Sequence, residues 1–418
     1  MCKRVAASKL CVAGWMLPSI VAIAAPGTPV FSKDVAPILF THCVECHRAG
    51  EVAPMALTSY KEVRPWAKAI RDRVVARTMP VWLADSHYGS FRNDPRLSQS
   101  EIDTIVRWVV NGAPEGDAKD TPALPKFEEG WRLGKPDLIV DMGTDFDVPA
   151  EGVVPYKGFT VPSGFREDKW ISAAEVRPGN RAVVHHVMLY VQESGRPAGG
   201  DDLGELLTAY TPGEPPMKFA PGVAKLVKAG ANFWFQVHYT PDGKASKDRS
   251  YVGLYFSKRP VKYRAFTVNA TSVLFRIPPG DPNYEVKSSW TASEDVQLVG
   301  LMPHMHFRGK DFKYTISSPD GRQEVVLYVP KYDFNWQLQY DFKDYLKVPK
   351  GSRIDCVAHF DNSANNRFNP DPAQEVRWGD QTWEEMMIGW IVYVVPTSKS
   401  IAAHTAGVTD FLRVYRLG

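Results

Sequence analysis

The chain has 418 residues and a formal net charge of +3, and 44% of it is hydrophobic and 12% aromatic. At roughly 150 residues per domain this length leaves room for about three cores, and so many aromatic residues exclude a disordered, collagen-like or coiled-coil chain. Lys3, Arg4 and Lys9 account for the whole excess charge, so the remainder is balanced and has no basic footprint for nucleic acid.

Those three cations stand before an apolar run from Leu10 to Ile23 that ends in Ala22-Ile23-Ala24. Residues 1–24 therefore read as a secretory signal peptide cut before Ala25. The run is too short for a good membrane span and Pro18 interrupts it. The expected protein is periplasmic or secreted and has no span once the signal is removed. Cys2 and Cys11 leave with the signal, Cys43 and Cys46 share one motif, and Cys356 stands alone, so no disulfide framework is available.

Residues 25–117 carry helical periodicity. Ser32 is read as the cap of a helix bearing Val35, Ile38, Leu39 and Phe40. Ser98 or Ser100 is read as the cap of another bearing Ile102, Ile105, Val106, Val109 and Val110, with Asn111-Gly112 as its stop. After the first helix comes Cys43-Val44-Glu45-Cys46-His47, the pattern that attaches c-type haem through two thiols and an adjacent proximal imidazole. A redox dithiol and half a zinc site are the other uses of such a pair, but no second Cys pair is present to complete zinc. The segment from about 28 to 117 resembles a class I cytochrome c. That resemblance implies an all-α domain with one covalent haem and a Met as second axial ligand, a position matched by Met79 with Met55 and His87 as competitors. Methionine ligation raises the potential and suits an electron carrier.

Residues 118–134, rich in Pro, Gly, Lys and Asp, read as a linker. Beyond it lie short apolar or alternating runs such as Val183 to Val191, Asn232 to Tyr239, Tyr251 to Phe256, Tyr314 to Ile316 and Ile388 to Val395, with turn sequences at Pro241-Asp242-Gly243 and Pro319-Asp320-Gly321. About 285 residues of this pattern exceed one ordinary sandwich. The expected fold is thus multi-domain: an N-terminal all-α cytochrome c domain followed by two antiparallel β-sandwich (jelly-roll-like) domains, 135–262 and 263–418.

Seven histidines follow the linker, and five of them stand in strongly apolar strand-like text, a poor place for an unpaired imidazole. His304 and His306 are two apart and share one face of a strand, so both reach one metal. His185 and His186 are adjacent, and neighbours on a regular strand point to opposite faces; they share a metal only at a strand end, a bulge or a twisted edge. His238 closes an alternating segment. His359, in Ala358-His359-Phe360-Asp361, is read as a structural residue in preference to a support for a ligand.

The order Val184-His185-His186-Val187-Met188, Gln236-Val237-His238-Tyr239, Pro303-His304-Met305-His306 and Glu385-Met386-Met387 resembles the copper type II, ascorbate-dependent monooxygenases, to which dopamine β-hydroxylase and peptidylglycine α-hydroxylating monooxygenase belong. The resemblance covers roughly residues 135 to 400. It implies two copper ions. His185, His186 and His238 match a three-histidine site that relays an electron; His304, His306 and Met386 match a site that binds dioxygen and attacks substrate, with Met387 as the alternative sulfur. A thioether favours Cu(I). The residues that hold a peptide carboxylate in the peptide-amidating members are replaced here by Met302, Ile388 and Trp390, so the expected substrate is a small apolar or aromatic organic molecule. The expected activity is C–H hydroxylation with O2, the electrons entering from an external donor through the haem segment. The rival from another class is an electron-transfer or copper-binding protein without hydroxylase activity.

Overall fold

The computed structural model describes residues 27–49, 51, 53–127, 130–193, 204–211 and 214–398. The signal sequence and His404 lie outside the described residues. No helix among the described residues is long and apolar enough to cross a membrane.

Within 27–117 there are helices at Ala36–His42, Tyr60–Val63, Ala67–Val75 and Gln99–Val110 around a core that includes Phe31, Leu39, Val63, Ile105 and Trp108. Ser98 caps the last helix through a reciprocal box: its hydroxyl accepts the Glu101 N–H, and the Glu101 carboxylate accepts the Ser98 N–H at 2.7 Å. Asn111 ends that helix, and Gly112 follows with φ of 87°. Ser32 is not a cap. A wide turn over Phe31–Val35 runs into the first helix and already includes Ser32, whose side chain is fully buried; Val30 is the residue before the turn.

Not all of the expected helical unit stays together. Residues 81–93 leave it and lie along the C-terminal sandwich. Trp82 and Ala84 join that sandwich's core, the Asp85 N–H donates to the Tyr328 carbonyl, and Phe91 forms a bridge with Phe342. Arg92 also pairs with Asp341 at 2.8 Å. An extended segment without a helical face of its own can bury its aromatic residues only against a neighbouring core, and here that neighbour is the sheet edge at Tyr340–Val348. The segment 118–134 is docked too: the Trp131 ring lies so close over Gly253 that a Cβ there would come within 2.6 Å of it.

Strands make the rest. In the N-terminal half, Lys157–Pro162, Asn232–Tyr239, Val184–Gln192 and Glu205–Tyr210 form a four-stranded sheet in that order. Its inner face packs Val187, Leu189, Phe233, Phe235 and Val237 against Ile171, Ala174, Val252 and Leu254 of the facing sheet. In the C-terminal half, Tyr284–Thr291, Arg353–Phe360, Gly309–Ser317 and Gln323–Val329 form the outer sheet. The two facing sheets are one: a nine-stranded sheet runs through both halves, joined where Val223–Val227 lies parallel to Tyr263–Ser272. Pro319-Asp320-Gly321 turns a true hairpin, with Ser317 opposite Gln323 and Gly321 at φ of 86°. Pro241-Asp242-Gly243 does not, because the strand after it, Ser246–Asp248, pairs with Phe146–Val148 instead of with Asn232–Tyr239.

Candidate metal centre

The adjacent pair His185-His186 converges through a bulge. Between Val184 and His186 the register against Asn232–Tyr239 shifts, so that Val184 faces Tyr239, His186 faces His238, and His185 is the extra residue. One imidazole nitrogen from each of His185, His186 and His238 lies within 4.8 Å of the others. The ring centroids are 5.0 to 5.5 Å apart. All three Nδ1 atoms are buried without a hydrogen-bond partner, whereas His186 Nε2 lies 3.3 Å from the Tyr156 hydroxyl. Buried polar atoms are ordinarily paired, and three unpartnered Nδ1 atoms on three clustered imidazoles are lone pairs left free for a cation.

In the second set Nδ1 is the bonded nitrogen of both rings. His304 Nδ1 meets Gln337 Oε1 at 2.7 Å and His306 Nδ1 meets the Glu384 carbonyl at 3.3 Å, while His306 Nε2 is buried and unpaired. A ligating imidazole with its other nitrogen anchored in this way has its tautomer and orientation fixed. The two rings are 5.3 Å apart. The antiparallel register pairs His304 with Ile388 at the end of its ladder. Glu385 ties the two segments together: its fully buried carboxylate accepts the N–H of His306 at 2.8 Å and of Arg308 at 2.6 Å. Burial pushes that carboxyl up to about 8. Met387 points the other way, into the sandwich core, where its sulfur accepts the Ser288 hydroxyl at 3.2 Å. Met386, buried just before the strand Met387–Pro396 begins, is the other sulfur in this segment.

Burial lowers His185 and His304 to about 4 and His238 to about 3, and holds His186 and His306 well below the usual imidazole value. All five are neutral near pH 7, the form that binds metals. Imidazole nitrogens with a thioether suit copper, and the sulfur suits its cuprous state. The residues present therefore fit copper in both places. One side chain touches both sets: the buried Phe334 ring stacks on His185 at 5.2 Å and meets His306 edge-on at 5.9 Å. Those two contacts together put the His185 and His306 ring centroids no more than about 11 Å apart. The Phe334 carbonyl accepts the amide of Gln337, so the partition and the His304 anchor belong to one loop.

Met302 and Trp390 lie two and four residues from ligand positions and pack with Tyr190 and Leu206, with Ile388, Met188 and Trp234 around them. The matched clamp positions thus form an apolar cluster with Met188, Trp234 and their neighbours, on strands that also carry the histidines. His359 lies elsewhere, in the outer sheet, bonded to Asp311 at 2.9 Å and near Glu285 at 3.6 Å. Cys356 is fully buried against the core. Sequence reasoning missed Tyr156, Phe334 and Gln337, because no spacing connects them to the histidines they touch.

In the helical segment the Cys43 to His47 turn is closed by the His47 N–H donating to the Cys43 carbonyl at 2.9 Å. Both thiols are free. His47 Nδ1 lies 3.2 Å from the Met55 carbonyl, which leaves Nε2 for a metal. These three residues fit a covalently held haem. Met79 is 37% exposed on the segment after Ala67–Val75, whereas Met55 packs against the helical core. His87 is drawn off with residues 81–93 and held by Asp85 at 2.6 Å.

No protein-family model matches the chain, and no curated relative matches it. Solved structures similar to it include the major capsid protein P2 of bacteriophage PM2, at 8% identity and a TM-score of 0.26 over 62% of this chain and 98% of that one. The VP2 subviral particle of infectious bursal disease virus is similar at 12% identity and a TM-score of 0.20, over 64% of this chain and 76% of that one. Likeness at that level carries no argument about function.

Proposed function

We propose that the protein is an exported copper- and haem-dependent monooxygenase that hydroxylates a C–H bond of a small apolar or aromatic molecule with O2. The observation that carries this reading is the pair of histidine sets on either side of Phe334: the clustered His185, His186 and His238 with unpartnered Nδ1 atoms, and His304 with His306, to which Met386 would add its sulfur. Copper in such a pair of sites supplies one-electron chemistry at one ion and oxygen activation at the other. The chain's own groups prepare that chemistry. Gln337 and the Glu384 carbonyl orient the two imidazoles, the Glu385 carboxylate fixes the His306 backbone, and the apolar cluster of Met302, Ile388 and Trp390 offers a dry surface without a charged clamp. Cys43, Cys46 and His47 would hold the haem, with Met79 the proposed second ligand, and the helical segment would receive electrons from an external donor.

The test is copper per haem in purified protein, with the copper spectrum of wild type set against His304→Ala. Two coppers per haem, one of them lost in the variant, support the reading and justify a substrate search by product analysis. One copper or none after reconstitution removes the monooxygenase and leaves an electron-transfer or copper-binding protein.

A further inference from the structure

The helical segment and the N-terminal sandwich meet at a cleft that has Cys46 on one wall and Tyr210 on the other. Two ion pairs close it from either side. Arg181 lies 2.6 Å from Glu51, and Arg132 pairs with Glu45, which stands inside the Cys-x-x-Cys-His turn. Cys46 and Tyr210 feel the same charges, Arg132 and Glu51. Tyr210 ends the strand Glu205–Tyr210, and its register partner across the ladder is Val187, the residue after His186. The clamp is anchored at the same place, since Arg181 precedes His185 by four residues.

We infer that Tyr210 is the contact through which the haem-binding turn is coupled to the three-histidine cluster. The inference rests on the function proposed above and adds the route. The path runs from the Cys46 sulfur across the cleft to the Tyr210 ring, along its bonds to the backbone, over the strand ladder to Val187 and through one peptide unit to His186. What moves is one electron: haem iron goes from ferrous to ferric and copper from cupric to cuprous, with no bond made or broken and no proton required. A competing contact leaves the same cleft in another direction. Glu214, also on its wall, accepts the Gln339 N–H at 3.2 Å, and the Thr211 hydroxyl donates to the Gln337 carbonyl at 3.4 Å, which leads towards His304.

The experiment uses the full chain loaded with haem and copper, without oxygen. The haem is reduced by a light flash with a photoreductant, and its reoxidation is followed in the visible band. Wild type is expected to reoxidise faster with copper than without. Tyr210→Ala is expected to slow the copper-dependent phase by an order of magnitude at unchanged haem and copper content and unchanged haem potential, because a gap replaces bonded atoms. Tyr210→Phe keeps the ring and is expected at the wild-type rate, as is Glu214→Gln. Where the alanine variant does not accumulate, Arg181→Ala loosens the same clamp and is expected to slow the phase too. A wild-type rate in Tyr210→Ala, a slow rate in Tyr210→Phe, or slowing in Glu214→Gln instead overturns the route while the proposed function stands. Reoxidation of wild type that is indifferent to copper overturns both.

Discussion

Trp82 offers the sharpest test of where residues 81–93 belong. Its side chain is 9% exposed, and its ring meets Tyr340 at 4.8 Å and Phe91 at 5.8 Å, all within the core of the C-terminal sandwich. Truncating a buried Trp to Ala costs about 3–5 kcal/mol. Its indole N–H is buried without a partner, and removing that unpaired donor with the ring offsets about 1–2 kcal/mol. Trp82→Ala is therefore expected near the low end, about 3 kcal/mol, or a roughly hundredfold rise in the open population of the edge it covers. Because several cores are present, a single melting temperature is the wrong measure; hydrogen exchange read peptide by peptide is the right one. Protection should fall over Gln323–Val329 and Tyr340–Val348 and persist over Gln99–Val110. The reverse pattern, with loss confined to the helices, would refute the assignment of this segment to the sandwich.

Other expectations follow from the metal centre. Gln337→Leu removes the acceptor on His304 Nδ1 and should weaken Cu(I) at that site by about 10–100-fold, leaving the three-histidine site unchanged in a chelator competition. Met386→Ala should lower Cu(I) affinity, whereas Met387→Ala should cost about 2–5 kcal/mol in denaturant unfolding and leave copper bound; the opposite effects on copper would exchange their roles. In copper-free protein the folded-state values of His185, His304 and His238, about 4, 4 and 3, lie below the ordinary 6.5. The unfolded chain then takes up more protons in that window, so stability should be full above pH 6.5 and fall as the pH drops towards 3. A stability profile flat across those values would mean that the imidazoles are not buried as described.

The legible parts of this molecule were those written in local spacing. The strand at Asn232–Tyr239 follows directly from alternation, a serine cap at Ser98 or Ser100 from the apolar periodicity behind it, and an irregularity at His185-His186 from the impossibility of placing neighbours on one face of a regular strand; the structure chose Ser98 and a bulge. The sulfur ligand was half legible: the sequence offers Met386 and Met387, and the structure adds only that Met387 is engaged in the core with Ser288. Phe334 and Gln337 were illegible because their partners lie about thirty or more residues away, across strands whose pairing no local pattern states. The departure of residues 81–93 was hidden for the same reason. A Trp and a Phe at 82 and 91 fit a helical core as well as a sheet edge, and only the fold says which received them.

The parallel pairing of Val223–Val227 with Tyr263–Ser272 has a consequence for anyone who would divide the chain at residue 262. Either half produced alone would display a central strand stripped of its neighbour, with apolar residues such as Val223 and Ala265 uncovered beside it. Such a strand is a template for pairing with another copy. The separated halves should self-associate or precipitate, and should recover solubility when produced together, each serving as the other's missing edge.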